Sequence, residues 1–133
     1  MAHVSITSSG TNFAHQISNG KHSLVADEPA SLGGQDAGMA PFDLYLASLA
    51  ACTAITLRMY AEKKGWELGE FNAQLSSSRD EAGKLQVHRM LAATGPLSDA
   101  QWDRLLDVVS RTPVTLVMRE GATITSERAT EGR

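Results

Sequence analysis

The residue in this sequence best suited to chemistry is its single cysteine, Cys52, which lies in the most apolar run, LASLAACTAITLRMYAEKKGW. A lone thiol cannot form an intramolecular disulfide framework or a CxxC zinc or redox motif. Two interpretations remain open. Cys52 is either a small side chain that packs in a helix contact or a nucleophile that reacts as its thiolate. The second interpretation requires a cation or hydrogen-bond donor that lowers the pKa of the thiol.

Cationic candidates for that role upstream of Cys52 are His15, Lys21, His22 and the near-terminal His3. The dipeptide Asn19-Gly20 is favoured in two-residue type I′ hairpin turns. A hairpin with that loop pairs Ile17 with His22 and puts His15 and His22 diagonally on one inward face. A metal site would need a third ligand, and no residue has suitable spacing, so we expect neither a metal nor a cofactor.

A long helix over residues 41–64 must position Cys52. Pro41 suits the first helical position, and Gly65 follows as a C-cap. Residues 44–57 are apolar or small on every side, which is typical of a helix buried all round. A chain of 133 residues can hardly surround such a helix. We therefore expect a second copy of the chain to cover part of it.

Strands and short helices are predicted on both sides of this helix. A capping box begins at Ser98, and Thr112 with the following proline begins another short helix. The sequence predicts one α+β domain over residues 1–133 with mainly antiparallel pairing. Its parts are N-terminal strands in 1–27 (3–7, 12–18 and 21–27), a loop at 28–39, the helix at 41–64, strands and short helices in 70–127 (strands 70–79, 85–94 and 122–127), and a polar tail at 128–133.

Composition excludes several classes of function. The net charge is −3 and no cluster of basic residues exceeds Lys63-Lys64, so we expect no nucleic-acid partner. The opening residues lack the apolar segment of a signal peptide. The near-apolar run 44–57 is shorter than the roughly 20 residues that cross a bilayer. We expect a soluble cytoplasmic protein without a membrane partner.

Two long segments carry a resemblance to a known family. The first spans residues 27–68 and includes GGQDAG and DLYLASLAACTAITLRMYAEKKGWEL; the second is GPLSDAQWDRLLDVVSRTPVTLVMREGATITS, residues 95–126. Together they closely resemble the OsmC/Ohr family of osmotically inducible and organic hydroperoxide resistance proteins. The resemblance implies an intertwined homodimer, in which antiparallel sheets from both chains wrap around two central helices.

The resemblance also implies a chemistry. Characterised members of the family reduce hydroperoxides with a cysteine on the central helix, and a second cysteine at a Cys-Pro step resolves the oxidised sulfur. Lipoyl proteins or other thiols supply the reductant. Cys52 matches the first cysteine, and Thr112 stands at the position of the second.

The sequence departs from the family at two further positions. Phe42 stands where the family has a glutamate, ten residues before the cysteine, and Asp43 falls on the opposite side of the helix from Cys52. No arginine precedes Arg58, although the family's arginine comes from the N-terminal region. If Cys52 reacts, it must therefore work as a one-cysteine enzyme whose sulfenic acid is reduced by an external thiol.

We therefore weigh hypotheses of different classes. In the first, the chain is a thiol-dependent hydroperoxide reductase with Cys52 as nucleophile, a thiolate supported by His15, His22 or Lys21, and an apolar pocket wall of Phe42, Tyr45, Leu49 and Met59. In the second, the chain is a non-catalytic module that binds an apolar small molecule at the dimer interface. A third is a degenerate paralogue kept for its dimeric surface.

Overall fold

A computed structural model describes residues 1–130 of the chain. Its elements follow the order βββ, long helix, ββ and two short helices. The contacts between residues within the chain divide it into two compact units. The first ends at Ser48 and the second begins at Leu49. The predicted polar tail at 128–133 falls partly on residues 131–133, which lie outside the described residues. The prediction of a single domain stays a prediction.

The first unit contains a three-stranded antiparallel sheet of β1 (Ser5–Ser8), β2 (His15–Ser18) and β3 (Ser23–Ala26), with β2 in the middle. The predicted hairpin register was wrong. Ile17 pairs with Leu24 rather than with His22, so the loop has four residues. The Asn19 side chain explains this, because its Oδ1 accepts hydrogen bonds from the backbone N–H groups of Lys21 and His22.

The loop after β3 is organised by a buried carboxylate. Asp27 is 3% exposed, and its oxygens accept hydrogen bonds from the N–H groups of Glu28, Gln35 and Ala37. The Ala37 bond lowers the pKa of Asp27, burial opposes this, and the remaining backbone bonds also lower it. A side chain at Gly34 would overlap the Glu28 carbonyl, so glycine is required there. The predicted loop therefore wraps around one ionised side chain.

Helix α1 runs from Pro41 to Lys64, with the predicted bounds. In the single chain the fully buried positions form one stripe, Leu49, Thr53, Leu57 and Ala61. Burial of the other sides was predicted to need a second chain, and it stays a prediction. Ile55 and Met59 are 59% and 65% exposed. By length and composition alone the whole helix could cross a membrane, a criterion that core helices of soluble proteins also meet.

The second unit packs a hairpin and two helices around the C-terminal part of α1. Strands β4 (Phe71–Arg79) and β5 (Leu85–Ala93) pair in antiparallel register. Helix α2 (Asp99–Val109) begins with the predicted capping box at Ser98, and α3 (Pro113–Glu120) begins with Thr112 as N-cap. The core of this unit consists of Leu57, Ala61, Leu68, Leu105 and Val109.

In α2 the buried face centres on Leu105 and Val109, whereas Leu106 is 49% exposed. The last predicted strand of the second unit was wrong. Residues 122–127 form no strand, and Ile124 is 86% exposed. A segment forms a strand only where another strand accepts its hydrogen bonds. In the described part of the chain no strand pairs with these residues.

Candidate active site

Cys52 is the twelfth residue of α1, so the N-terminus of its own helix is too distant to lower the pKa of the thiol. Cys52 is only partly buried, so its side chain is partly accessible to solvent. Neighbouring Ala51 and Ile55 on the same helix are exposed. Packing alone therefore does not account for its position.

The sulfur of Cys52 instead faces the N-terminus of another helix, α3. The Val114 backbone N–H, which lies in the first turn of α3, and the Thr112 hydroxyl both favour the thiolate form of the sulfur and lower the pKa of Cys52. First-turn N–H groups have no partner within their own helix, and the helix dipole favours a negative charge beside them. The Thr56 hydroxyl lies 3.9 Å from the sulfur.

These contacts decide the ionisation of the thiol. Burial raises the pKa of Cys52, but the Val114 N–H, the Thr112 and Thr56 hydroxyls and the positive charge of Arg89 outweigh it. The net result is a pKa below the ordinary value for cysteine. A larger fraction of the thiol is then ionised at neutral pH than in an unfolded chain, and the thiolate is the nucleophilic form.

Arg89 is the cation of this site. It reaches the site from β5, where its Nη1 donates to the Thr53 and Thr115 hydroxyls at 2.9 and 3.0 Å. Its Nη2 donates to the Val109 carbonyl at 3.1 Å. Among the described residues, the ion pairs within 4.0 Å join Asp107 to Arg104 and Arg111, so Arg89 has no carboxylate partner. Burial lowers the pKa of Arg89, as does repulsion by Arg119, whereas Cys52 raises it.

Thr112 does more than the helix capping expected of it. Its hydroxyl caps α3 by accepting from the Thr115 N–H at 3.4 Å, and it also lowers the pKa of Cys52. Thr112, which stands at the position of the family's second cysteine, therefore acts on Cys52, which stands at the position of the first. Thr112 is 1% exposed.

Sequence reasoning missed Arg89, Thr56 and the Val114 N–H. One sequence signal could have identified Arg89. Along β5, half-buried positions alternate with exposed ones, and Arg89 falls on the half-buried face between Val87 and Leu91. A charged residue at an inward position of an alternating strand needs a polar partner inside.

The three predicted activating residues lie in the first unit. The His15 Nδ1 is 2.9 Å from the Phe13 carbonyl oxygen. Lys21 and His22 belong to the turn between β2 and β3. The predicted diagonal pairing of the two histidines does not occur, because His15 pairs with Ala26 and His22 lies outside the strands. Their role towards Cys52 stays a prediction.

The four residues of the predicted pocket wall are divided between the units. Phe42 and Tyr45 form an edge-to-face pair with ring centroids 6.1 Å apart in the first unit. In the second unit Leu49 is buried and Met59 is exposed. Their role as the wall of one pocket stays a prediction.

A separate apolar cavity of about 420 Å³ lies within the first unit. It is lined by Ile6, Phe13, His15, Ala26, Asp27, Glu28, Leu32 and Pro41. Among residues 1–130, no group of three or more His, Cys, Asp or Glu side chains is placed to hold a metal ion.

The fold and the site define an α+β protein in which a cysteine on the long helix faces the N-terminus of a second helix. A family model described as OsmC-like protein matches residues 33–127, a segment that includes Cys52, Arg89 and Thr112. The chain belongs to the OsmC-like family.

Solved structures agree on the fold. The chain is similar to an OsmC-like protein from Mycoplasma pneumoniae, with 18% identity, a TM-score of 0.74 and coverage of 90% of this chain and 87% of that one. It is also similar to the organic hydroperoxide resistance protein OsmC from Legionella pneumophila, with 23% identity, a TM-score of 0.67 and coverage of 90% and 89%.

A third similar structure is the organic hydroperoxide resistance protein OhrB of Bacillus subtilis, with 23% identity, a TM-score of 0.60 and 90% coverage of both chains. A search of curated proteins by sequence gives no match. At these identities the structures establish the OsmC fold, and activity must be argued from the site.

Proposed function

We propose that this protein is a thiol-dependent reductase of organic hydroperoxides in which Cys52 is the nucleophile. The observation that carries the proposal is the contact of the Cys52 sulfur with the Val114 N–H and the Thr112 hydroxyl, which lowers the pKa of the thiol. Family membership supports it, as do similar structures named for organic hydroperoxide resistance.

The reaction begins with attack of the Cys52 thiolate on the terminal oxygen of the hydroperoxide. A sulfur–oxygen bond forms, the oxygen–oxygen bond breaks, and the alkoxide takes a proton and leaves as an alcohol. Cys52 becomes a sulfenic acid. A first external thiol condenses with it and releases water, and a second thiol breaks the mixed disulfide, which restores Cys52 and gives the oxidised reductant.

The surroundings of Cys52 support an organic substrate and an external reductant. Ile55, one turn further along α1, is 59% exposed in the single chain, and in the homodimer proposed below it would offer apolar surface beside the thiol at the interface. Cys52 is the only cysteine of the chain, so a second protein cysteine cannot resolve the sulfenic acid within one molecule. A small dithiol or a lipoyl protein would therefore serve as reductant. A reactive free thiol fits the reducing cytoplasm, the compartment we propose.

The experiment that tests this function follows the consumption of cumene hydroperoxide and hydrogen peroxide by the purified protein with dithiothreitol. We expect turnover of the organic substrate and a lower rate with hydrogen peroxide. Equal rates with and without the protein would contradict the proposal. The non-catalytic binding module would then be the better hypothesis, and the apolar cavity of the first unit would be the place to look for its ligand.

We also propose that the protein is a homodimer. Ile55 and Met59 leave one side of α1 apolar and more than half exposed. Burial of such side chains contributes about 1.5–3 kcal/mol each, which favours a partner surface. Sedimentation equilibrium at micromolar concentration should give twice the mass of one chain. Replacing both residues by glutamate should shift the protein to monomer, and a monomeric wild type would contradict the proposal.

A further inference from the structure

A second cavity, of about 310 Å³, lies within the second unit, where the last turns of α1 meet the first turn of α2. Its volume is at the lower end of the range of small-molecule sites, so it suits a molecule of one or two rings. Two aromatic rings and two cationic side chains belong to its lining, which consists of Tyr60, Lys64, Trp66, Ala100, Gln101 and Arg104. Among the described residues no acid lines it, so the cavity is a local positive region in a chain whose net charge is −3.

Tyr60 holds the functional groups of this cavity together. Its ring packs edge-to-face against the ring of Trp66, with centroids 5.7 Å apart. The Lys64 ammonium lies 5.7 Å from the centroid of the Tyr60 ring, within the range of a cation–π contact. Arg104 Nε donates to the Tyr60 hydroxyl at 2.9 Å, and its Cζ is 5.8 Å from the same centroid. The rings and the charges are therefore placed before any ligand binds, which lowers the entropic cost of binding.

Both cations of the lining keep the capacity to bind an anion. Among the described residues, the ion pairs within 4.0 Å all involve Asp107, which binds Arg104 and Arg111. In this part of the chain no carboxylate therefore pairs with Lys64. Arg104 uses its Nε for the Tyr60 hydroxyl and its Nη1 for Asp107. Because a guanidinium has donors on all three nitrogens, the Nη2 group of Arg104 remains for an anion.

The chemistry of the lining fits a ligand that has both an aromatic ring and a negative charge. A ligand ring can pack against Tyr60 and Trp66, since aromatic pairs attract in offset and edge-to-face arrangements. A carboxylate can pair with Lys64 and accept from Arg104 in charge-assisted hydrogen bonds. A neutral arene would lose the ion pairs and an aliphatic acid would lose the ring contacts, so both should bind more weakly.

We propose that this cavity is a binding site for small aromatic carboxylates. Tyr60 and Trp66 contact the rings of the ligand. Lys64 and Arg104 pair with its carboxylate. The site is separate from the thiol, because Tyr60 lies eight residues beyond Cys52 on α1, about 12 Å along the helix axis. The proposal therefore does not rest on the hydroperoxide reductase activity.

The test is an NMR titration of isotopically labelled protein with 2-naphthoate, followed through the indole N–H signals of the two tryptophans. Trp66→Phe identifies which signal belongs to which residue. We expect the Trp66 signal to shift and to reach saturation at low millimolar concentration. The signal of Trp102, which does not line the cavity, should move much less. A Trp66 signal that shows no saturable shift would overturn the proposal.

Lys64→Gln and Lys63→Gln are the matched pair of variants. Both remove one positive charge from the last turn of α1, but only Lys64 lines the cavity. We expect Lys64→Gln to weaken the binding of 2-naphthoate about five-fold, the effect of losing one exposed ion pair. Lys63→Gln should change it by less than about two-fold. Equal effects of the two substitutions would contradict the role given to Lys64.

Two further probes separate the charge of the ligand from its rings. The alcohol 2-naphthalenemethanol keeps the rings without the charge, and cyclohexanecarboxylate keeps the charge without an aromatic ring. We expect both to bind more weakly than 2-naphthoate, and equal affinity for either one would overturn the proposed ligand class. Circular dichroism should show that both lysine variants are folded, because both lysines are exposed. The readout needs no peroxide, so this site and the proposed function can fail separately.

Discussion

Replacement of Cys52 by serine is expected to reduce hydroperoxide consumption to the rate of dithiothreitol alone, a loss of about 10³-fold or more. The serine hydroxyl is close to the thiol in shape and can keep the contact with the Thr56 hydroxyl. It cannot form a thiolate-like nucleophile at neutral pH or a sulfenic acid. The measurement is the initial rate of cumene hydroperoxide loss, followed with a ferrous-dye assay of residual peroxide.

The control for this substitution is a measurement that shows that the variant is folded. Cys52→Ser should keep the circular dichroism spectrum and the melting temperature of the wild type, because the site is only partly buried. Wild-type protein alkylated at Cys52 should lose activity to the same extent. A serine variant that retains the wild-type rate would place the chemistry elsewhere and leave Cys52 as a packing residue.

The second large effect is expected from Thr112→Cys, which gives the chain a second thiol beside the first. The Thr112 side chain acts on the pKa of the Cys52 thiol, so we expect an introduced thiol at this position to lie close to the sulfur. A sulfenic acid at Cys52 should then condense with the new thiol to form a disulfide with release of water. One equivalent of cumene hydroperoxide should convert most chains to this disulfide, as measured by mass spectrometry of peptides without reduction.

The matched control is Ser110→Cys, which places a second thiol on the C-cap of α2, where the serine hydroxyl bonds the Asp107 carbonyl. It should form little of the disulfide. The Thr112→Cys variant should also resist further oxidation of Cys52 under excess peroxide, since a disulfide does not proceed to sulfinic acid. If peroxide leaves both thiols free in Thr112→Cys, the two side chains do not meet as described.

Much of the fold could be predicted because local rules determine it. The bounds of α1 follow from a proline at the first helical position, lysines in the last turn and Gly65 after them. The caps of α2 and α3 depend on residues within three positions of Ser98 and Thr112. The predicted register between β2 and β3 was wrong. It rested on the preference of Asn-Gly for two-residue turns, which does not take account of the Asn19 side chain, and that side chain can close a longer turn.

The candidate site was predictable only in part. The position of Cys52 and its match to the family were visible in one segment of sequence. Its partners were not, because Arg89 lies 37 positions and Thr112 60 positions further along the chain. Such contacts depend on how β5 and α3 pack, which no spacing rule encodes. The predicted cations all lie upstream of the helix, whereas the structure provides Arg89 from downstream.

The central claim is that folding makes the thiol of Cys52 more acidic, and the most direct measurement is the rate of Cys52 alkylation against pH. The rate should be followed in the native protein and in the same protein unfolded in urea. The account predicts that the native curve has its midpoint at lower pH, because the Val114 N–H, the Thr112 hydroxyl and Arg89 favour the thiolate. A native midpoint equal to or above that of the unfolded chain would contradict it.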